Sequence, residues 1–178
     1  MPAPARNSIC SSGVRIDFYW WSCADEDVKS HLDDALAALW RAVDGPNRRW
    51  TPWSQSMVRS QFKKRLEKAI RGQLVPVDEI KPLRDGRASL FEIRWTDIGV
   101  SEVGTGGELV FRDVHVRLIH TEPDGFGLGV VGLHAHEKAI DPDDPTWTRA
   151  EQDAEVDTAE RCYFAGVGTN WGLVLRQS

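Results

Sequence analysis

The sequence predicts an α+β domain: an N-terminal strand, a helical hairpin, an antiparallel three-strand meander and a C-terminal helix. Three observations carry this. An alternating β-branched and aromatic segment, Val14 to Trp21, opens the domain. Two stretches with apolar residues at helical spacing follow it. Three late strand-like segments, punctuated by glycine or Pro-Asp-Gly, then precede an acidic stretch that suits a last helix.

Residues 1–12 are small, polar and Pro-containing, and are read as a loose tail, leaving 13–178 as a single domain. In the first strand Val14, Ile16 and Phe18 alternate with Arg15, Asp17 and Tyr19. Asp25, Glu26 and Asp27 suit the positive end of a helix dipole, and Val28, Leu32, Ala35, Leu36, Leu39, Trp40 and Val43 supply the buried stripe as far as Gly45-Pro46. Ser54 or Ser56 is expected to cap a second helix, with Val58, Phe62, Leu66, Ala69 and Ile70 inward and Gly72 as its stop. A connection over 74–80 leads to a turn at Leu83-Arg84-Asp85-Gly86, where Asp-Gly supplies positive φ.

The late strands are read over Leu90 to Trp95, Leu109 to His120 and Phe126 to His136, with Phe91, Ile93, Leu118 and Leu133 in the core. Asp97 to Asp113 reads as a Gly-rich excursion between the first two. A helix over about Thr148 to Phe164 would pack through Ala150, Ala154, Ala159 and Tyr163, and Trp171 to Leu175 would add a terminal strand.

A chain of 178 residues, 41% hydrophobic and 28% charged, is long enough for one substantial core. Its eight tryptophans follow no fixed period, which excludes a repeat protein. A net charge of −5 excludes nucleic-acid binding by bulk attraction, so any RNA contact must be local. Charge is segregated: Arg59, Lys63, Lys64, Arg65, Lys68 and Arg71 crowd the middle, and Glu151, Asp153, Glu155, Asp157 and Glu160 the end. Cys10, Cys23 and Cys162 lack C-x-x-C spacing, which predicts neither a disulfide framework nor a structural zinc site. No signal-peptide core and no run of about 18 apolar residues is present, so a cytoplasmic protein without membrane contact is expected.

The segments Lys81-Pro82-Leu83-Arg84-Asp85-Gly86, Leu90-Phe91-Glu92-Ile93-Arg94, Val116-Arg117-Leu118-Ile119 and Leu133-His134-Ala135-His136-Glu137-Lys138 occur in that order. Together they resemble the RelE/ParE toxin superfamily, in particular its HigB-like, phage-derived branch, over about residues 14–165. The resemblance implies the toxin of a type II toxin–antitoxin system, neutralised by a cognate antitoxin. RelE- and HigB-like members cut mRNA in the ribosomal A site without a metal, so ribosome and message are the implied partners of an mRNA interferase, and no cofactor is implied. ParE-like members act on DNA gyrase. The chain departs from the pattern in its length, in the 97–113 excursion, in the acid Glu92 two residues before Arg94, and in its acidic net charge.

Cleavage of RNA needs a base for the 2′-hydroxyl proton, cations for the phosphorane and an acid for the leaving oxygen. Arg94 and Arg117 on adjacent strands suit phosphate, and Lys138 offers a further cation at the strand end. His134, His136 and Lys138 alternate and so share one strand face, which makes either histidine a candidate for proton transfer. These five are the candidate catalytic residues. Lys63, Lys64, Lys68 and Arg84 are candidate RNA contacts.

Each has a plainer alternative: a strand arginine paired with a neighbouring acid, a core histidine satisfied by backbone, a solvated helix face. His115, His120, His134 and His136 could converge on a metal, but the spacing fixes no geometry and places no acid with them, so no metal is expected. Two rival functions stay open: a non-enzymatic toxin-fold binding module, gyrase-directed or degenerate, and an unrelated α+β enzyme using the histidines with a metal.

Overall fold

A computed structural model of the chain describes residues 7–22, 30–83 and 89–174. Its elements are β1 (Asp17–Trp20), α1 (His31–Val43), α2 (Pro52–Ile70), β2 (Ile80–Pro82), β3 (Leu90–Val103), β4 (Leu109–Thr121), β5 (Gly129–Glu137) and α3 (Pro145–Val167). The fold is α+β, as the patterning predicts, with a five-stranded mixed sheet and three helices among the described residues. Strands β3, β4 and β5 form the antiparallel meander.

The helix ends follow from capping chemistry. The Ser30 side chain accepts from the Asp33 N–H at the start of α1, with Asp33 and Asp34 in its first turn; the acids expected there, 25–27, lie outside the described residues. At α2, Thr51 is the cap rather than Ser54 or Ser56. Pro52 takes the first helical position, where its missing N–H costs nothing, and Ser54 closes a reciprocal capping box. Gly72 ends this helix at φ +69°, and a β-carbon there would stand 2.3 Å from the Val14 carbonyl oxygen. Only glycine fits that approach.

Strand order in the sheet is β1-β5-β4-β3-β2. The β1 strand runs parallel to β5 and the other neighbours are antiparallel. A parallel pair requires a crossover, which α1 and α2 provide over one sheet face. Phe18, Leu39, Phe62, Ile93, Trp95 and Leu118 are buried in that layer, and Phe62 meets Trp95 edge-to-face at 5.5 Å. A side chain such as Phe62, with no exposed surface, contributes about 3 kcal/mol by burial. On the opposite face α3 packs against Ile119 and Val131 through Ala159 and Cys162, with Trp171 beside them. The expected core residues Phe91, Ile93, Leu118 and Leu133 are all buried.

Several expectations are corrected. The 97–113 excursion is mostly strand: after a bulge between Trp95 and Ile98, pairing continues from Ile98–Val114 to Val103–Leu109, leaving a short turn around Gly104 to Glu108. Val100, Val103, Leu109, Val110 and Phe111 supply strand propensity that outweighs the glycines. The tail expectation fails for 8–11, where Ser8 and Cys10 are buried around a short 3-10 turn, Ile9–Ser11. Their polar side chains find partners on the sheet, which sequence distance conceals.

In α3, Ala150 and Ala154 are exposed, and the buried stripe is Ala159, Cys162 and Gly166. Trp171 lies in a 3-10 turn, Asn170–Gly172, at positive φ rather than in a terminal strand, because its ring is buried against Tyr163 and Phe126. Leu175 falls outside the described residues. Cys162 is disulfide-bonded, which the spacing of the cysteines does not predict, since local spacing says nothing of pairs closed by the fold. Cys10 is free and buried.

Candidate functional site

Strand register gathers the charged residues of the late strands. Arg94 stands opposite Arg117, and Arg117 opposite His136, so the three form one row across β3, β4 and β5. One step along, Glu92, Ile119 and His134 form a second row on the same face. That face is the one on which α3 packs.

Arg117 and His136 of this row are buried and Arg94 is partly buried. Arg117 is only 1% exposed; one of its nitrogens, Nη1, donates to the carbonyls of Trp95 and Val116, at 3.0 and 2.9 Å. Glu92, buried between the two arginines, lies 3.5 Å from Arg94 Nε and 3.7 Å from Arg117 Nε. Arg94 also donates through Nη1 to the Val77 carbonyl at 2.7 Å. Burial lowers the Arg117 guanidinium to about 10 against the pull of Glu92. Lys138 follows β5 and its backbone N–H binds the His115 carbonyl. Burial and the charges of Arg117 and Arg94 lower its ammonium, while Glu92 opposes them. Thus one buried carboxylate sits among Arg94, Arg117 and Lys138. Arg117 Nη2 finds no hydrogen-bond partner among the described residues, an expensive state for a buried donor.

The histidines lie beside this cationic group. His134 and His136 stack with ring centroids 5.4 Å apart. His136 is 7% exposed, and its buried Nδ1 has no partner among the described residues. Burial, helped by His134, Arg117 and Lys138 against Glu155, pushes this imidazole down to about 4, so it is neutral at pH 7. His134 is half-buried and hydrogen-bonded through Nε2 to the Glu155 carboxylate of α3. A nitrogen from each ring and a Glu155 oxygen all lie within 4.8 Å of one another.

Glu155 is the residue that sequence reasoning missed: it reads there as one acid among many on a solvated helix. Its signal was spacing, since Glu155, Ala159 and Cys162 fall at i, i+4 and i+7 and therefore on the sheet-facing stripe. It also supplies the acid thought to be lacking beside the histidines.

Other candidates are not brought here. Lys63 and Lys64 are exposed on α2, which packs on the opposite face of the sheet through Phe62, and Lys63 pairs with Glu67. Lys68 is tied to Glu79, whose carboxyl is held below its usual range: burial would raise it, but Lys68, the Val75 N–H and Arg65 prevail. Arg84 lies outside the described residues. Tyr163 packs against Trp171. A cavity of about 740 Å³ opens between β2, Glu92 and α3, walled by Lys81 on one side and by Arg149, Asp153, Asp157 and Glu160 on the other.

A second buried polar group ties down the N-terminal segment. His120 Nε2 is 3.9 Å from Cys10 Sγ and 3.3 Å from Glu122 Oε1, and Glu122 also accepts from the Ser8 hydroxyl and the Ile9 N–H. All of these side chains are buried, with His120 fully so and stacked on Phe91. They anchor 8–10 to the end of β4.

No protein-family model, curated protein or solved structure matches the chain. Among the described residues no helix is long and apolar enough to cross a membrane.

Proposed function

We propose that this protein is a toxin of the RelE/ParE kind, a ribosome-dependent mRNA endonuclease held inactive by a cognate antitoxin. The observation that carries the reading is the in-register row Arg94–Arg117–His136 beside the His134–Glu155 pair. It unites on one sheet face the cations and proton carriers that phosphodiester cleavage needs. The ordered segments Leu90 to Arg94, Val116 to Ile119 and Leu133 to Lys138, which resemble that superfamily, occupy these same strands.

In this reading a histidine, with His134 oriented by Glu155 as the first choice, takes the 2′-hydroxyl proton. The 2′-oxygen attacks phosphorus, the bond to the 5′-oxygen breaks, and a second group protonates that oxygen. Arg94 and Lys138 face the phosphorane, whereas the buried Arg117 positions the row through its backbone carbonyls and Glu92. Tightly controlled expression tests the reading. It predicts growth arrest with cleavage of message in the ribosomal A site, and it falls if the folded protein neither arrests growth nor cuts ribosome-bound message.

The rival, a non-enzymatic binding module, is favoured by one specific observation: Arg117 and His136 are buried and Glu92 already pairs with both arginines. It predicts that any arrest survives alanine at His134, His136 and Lys138. Cleavage of message by the unaltered chain excludes it.

A further inference from the structure

We infer that His134, His136 and Glu155 form a binding site for a divalent transition-metal ion of the zinc class. Two imidazoles and one carboxylate are a ligand set that such ions take with coordination positions left open, whereas Mg²⁺ and Ca²⁺ prefer all-oxygen sites. This donor set is assembled by the fold: the histidines come from alternate positions of β5, and the acid from the sheet-facing stripe of α3.

The distances suit an ion. Donor atoms bound tetrahedrally to one metal at about 2.0–2.2 Å stand about 3.3–3.6 Å apart. The three atoms here lie within 4.8 Å of one another, with His134 and Glu155 already in hydrogen-bond contact, so closing the site takes side-chain adjustments of about 1 Å. Two further observations point to a ligand. His136, more than nine-tenths buried, keeps a buried nitrogen, Nδ1, without a partner among the described residues. His134 and Glu155 are partly exposed, which gives an ion a route in.

Charge around the site is divided. Arg117 and Lys138 flank His136 and disfavour a cation, but Glu92 lies beside them, and α3 carries Glu151, Asp153, Glu155 and Asp157 over the same region. The helix therefore sets a negative field where the ion would enter. An ion here occupies the lone pairs that proton transfer would use, so loading silences acid–base chemistry at the pair. The binding itself does not depend on that chemistry.

The test uses the full chain, stripped with a chelator and then titrated with Zn²⁺ by calorimetry and with Co²⁺ by absorption. The site predicts one bound equivalent and visible cobalt bands without a sulfur-to-cobalt band in the near ultraviolet. Loss of a group one shell out costs about 10–100-fold in affinity, so His134→Ala and Glu155→Gln, each removing a ligand, should weaken binding by about 100-fold or more. Glu155→Gln alters a partly exposed helix position and keeps the test decisive if His134→Ala fails to fold. The inference is overturned by a chain that binds neither ion, by unchanged affinity in the folded variants, or by a sulfur-to-cobalt band, which would put the ion at Cys10, His120 and Glu122 instead. None of these outcomes depends on whether the protein cuts RNA.

Discussion

His134 on β5 and Glu155 on α3, 21 residues apart, share a hydrogen bond that fixes the imidazole against the helix. Such a carboxylate sets which ring nitrogen holds the proton and stabilises the imidazolium once it forms. If His134 carries the proton in RNA cleavage, His134→Ala should lower the cleavage rate by about 10²–10⁴, the usual worth of general acid–base catalysis. Glu155→Gln keeps the shape but loses the charge, and should cause a smaller loss, mainly in turnover. Single-turnover cleavage of ribosome-bound message measures both. Equal rates in all three proteins would remove the pair from the mechanism.

Arg117 and Lys138 should separate folding from function. Arg117→Ala strips one of two arginine partners from the buried Glu92 and the donor from the Trp95 and Val116 carbonyls. Breaking a buried pair outright costs about 3–5 kcal/mol, and since Arg94 still faces Glu92 this variant should lose part of that and melt lower. Lys138 is partly buried among other cations, and Lys138→Ala should change stability by less than about 1 kcal/mol while abolishing growth arrest. Thermal melts beside growth curves decide it. A Lys138→Ala variant that still arrests growth would take that cation out of the site.

Much of this arrangement was legible in the sequence. The period-2 pattern of β3 to β5 placed Phe91, Ile93 and Leu118 in the core, and the alternation of His134, His136 and Lys138 placed them on one face. Burial of Arg117 was not legible, because a strand arginine buries only when a distant residue, here Glu92 across the register, can neutralise it. Glu155 was hidden by its acidic neighbours. The parallel seat of β1 against β5 was hidden too, since pairing across the whole chain leaves no local signature. The 97–113 segment was misread because glycines at a hairpin tip resemble those of a loop, although valine and phenylalanine on either side keep the strands paired.

Lys63 and Lys64 provide a test of whether α2 grips ribosomal RNA. They are exposed and on the opposite face from the His134 cluster, so they can affect docking but not the bond-breaking step. The double change Lys63→Ala with Lys64→Ala should weaken ribosome binding and reduce the salt slope by about 2, one per phosphate contact. Cleavage of already-bound message should be unchanged. Lys68→Ala should act on stability instead, because it leaves Glu79 with Arg65 as its one cation among the described residues, beside the Val75 N–H. Binding that keeps its full salt dependence in the double variant would rule out α2 as the RNA grip.

The anchor formed by Cys10, His120 and Glu122 makes stability depend on pH in a defined direction. Burial opposes a charge on His120, yet Cys10 and Glu122 outweigh it and raise the imidazole from 6.5 to about 9. A group raised on folding contributes fully below its unfolded value and loses that contribution as pH climbs toward the folded one. Glu122 is shifted the other way: burial would raise it, but His120, Ser8 and the Ile9 N–H hold it below its ordinary 4.5. Its contribution is therefore present above 4.5 and lost as pH falls through the lowered value. The melting temperature should accordingly be highest between about 4.5 and 6.5 and decline on the alkaline side as pH approaches 9. His120→Gln removes the titrating group, and should lower the plateau and flatten the alkaline decline. An alkaline decline of undiminished slope in that folded variant would assign the pH dependence to other groups and leave the anchor a neutral network.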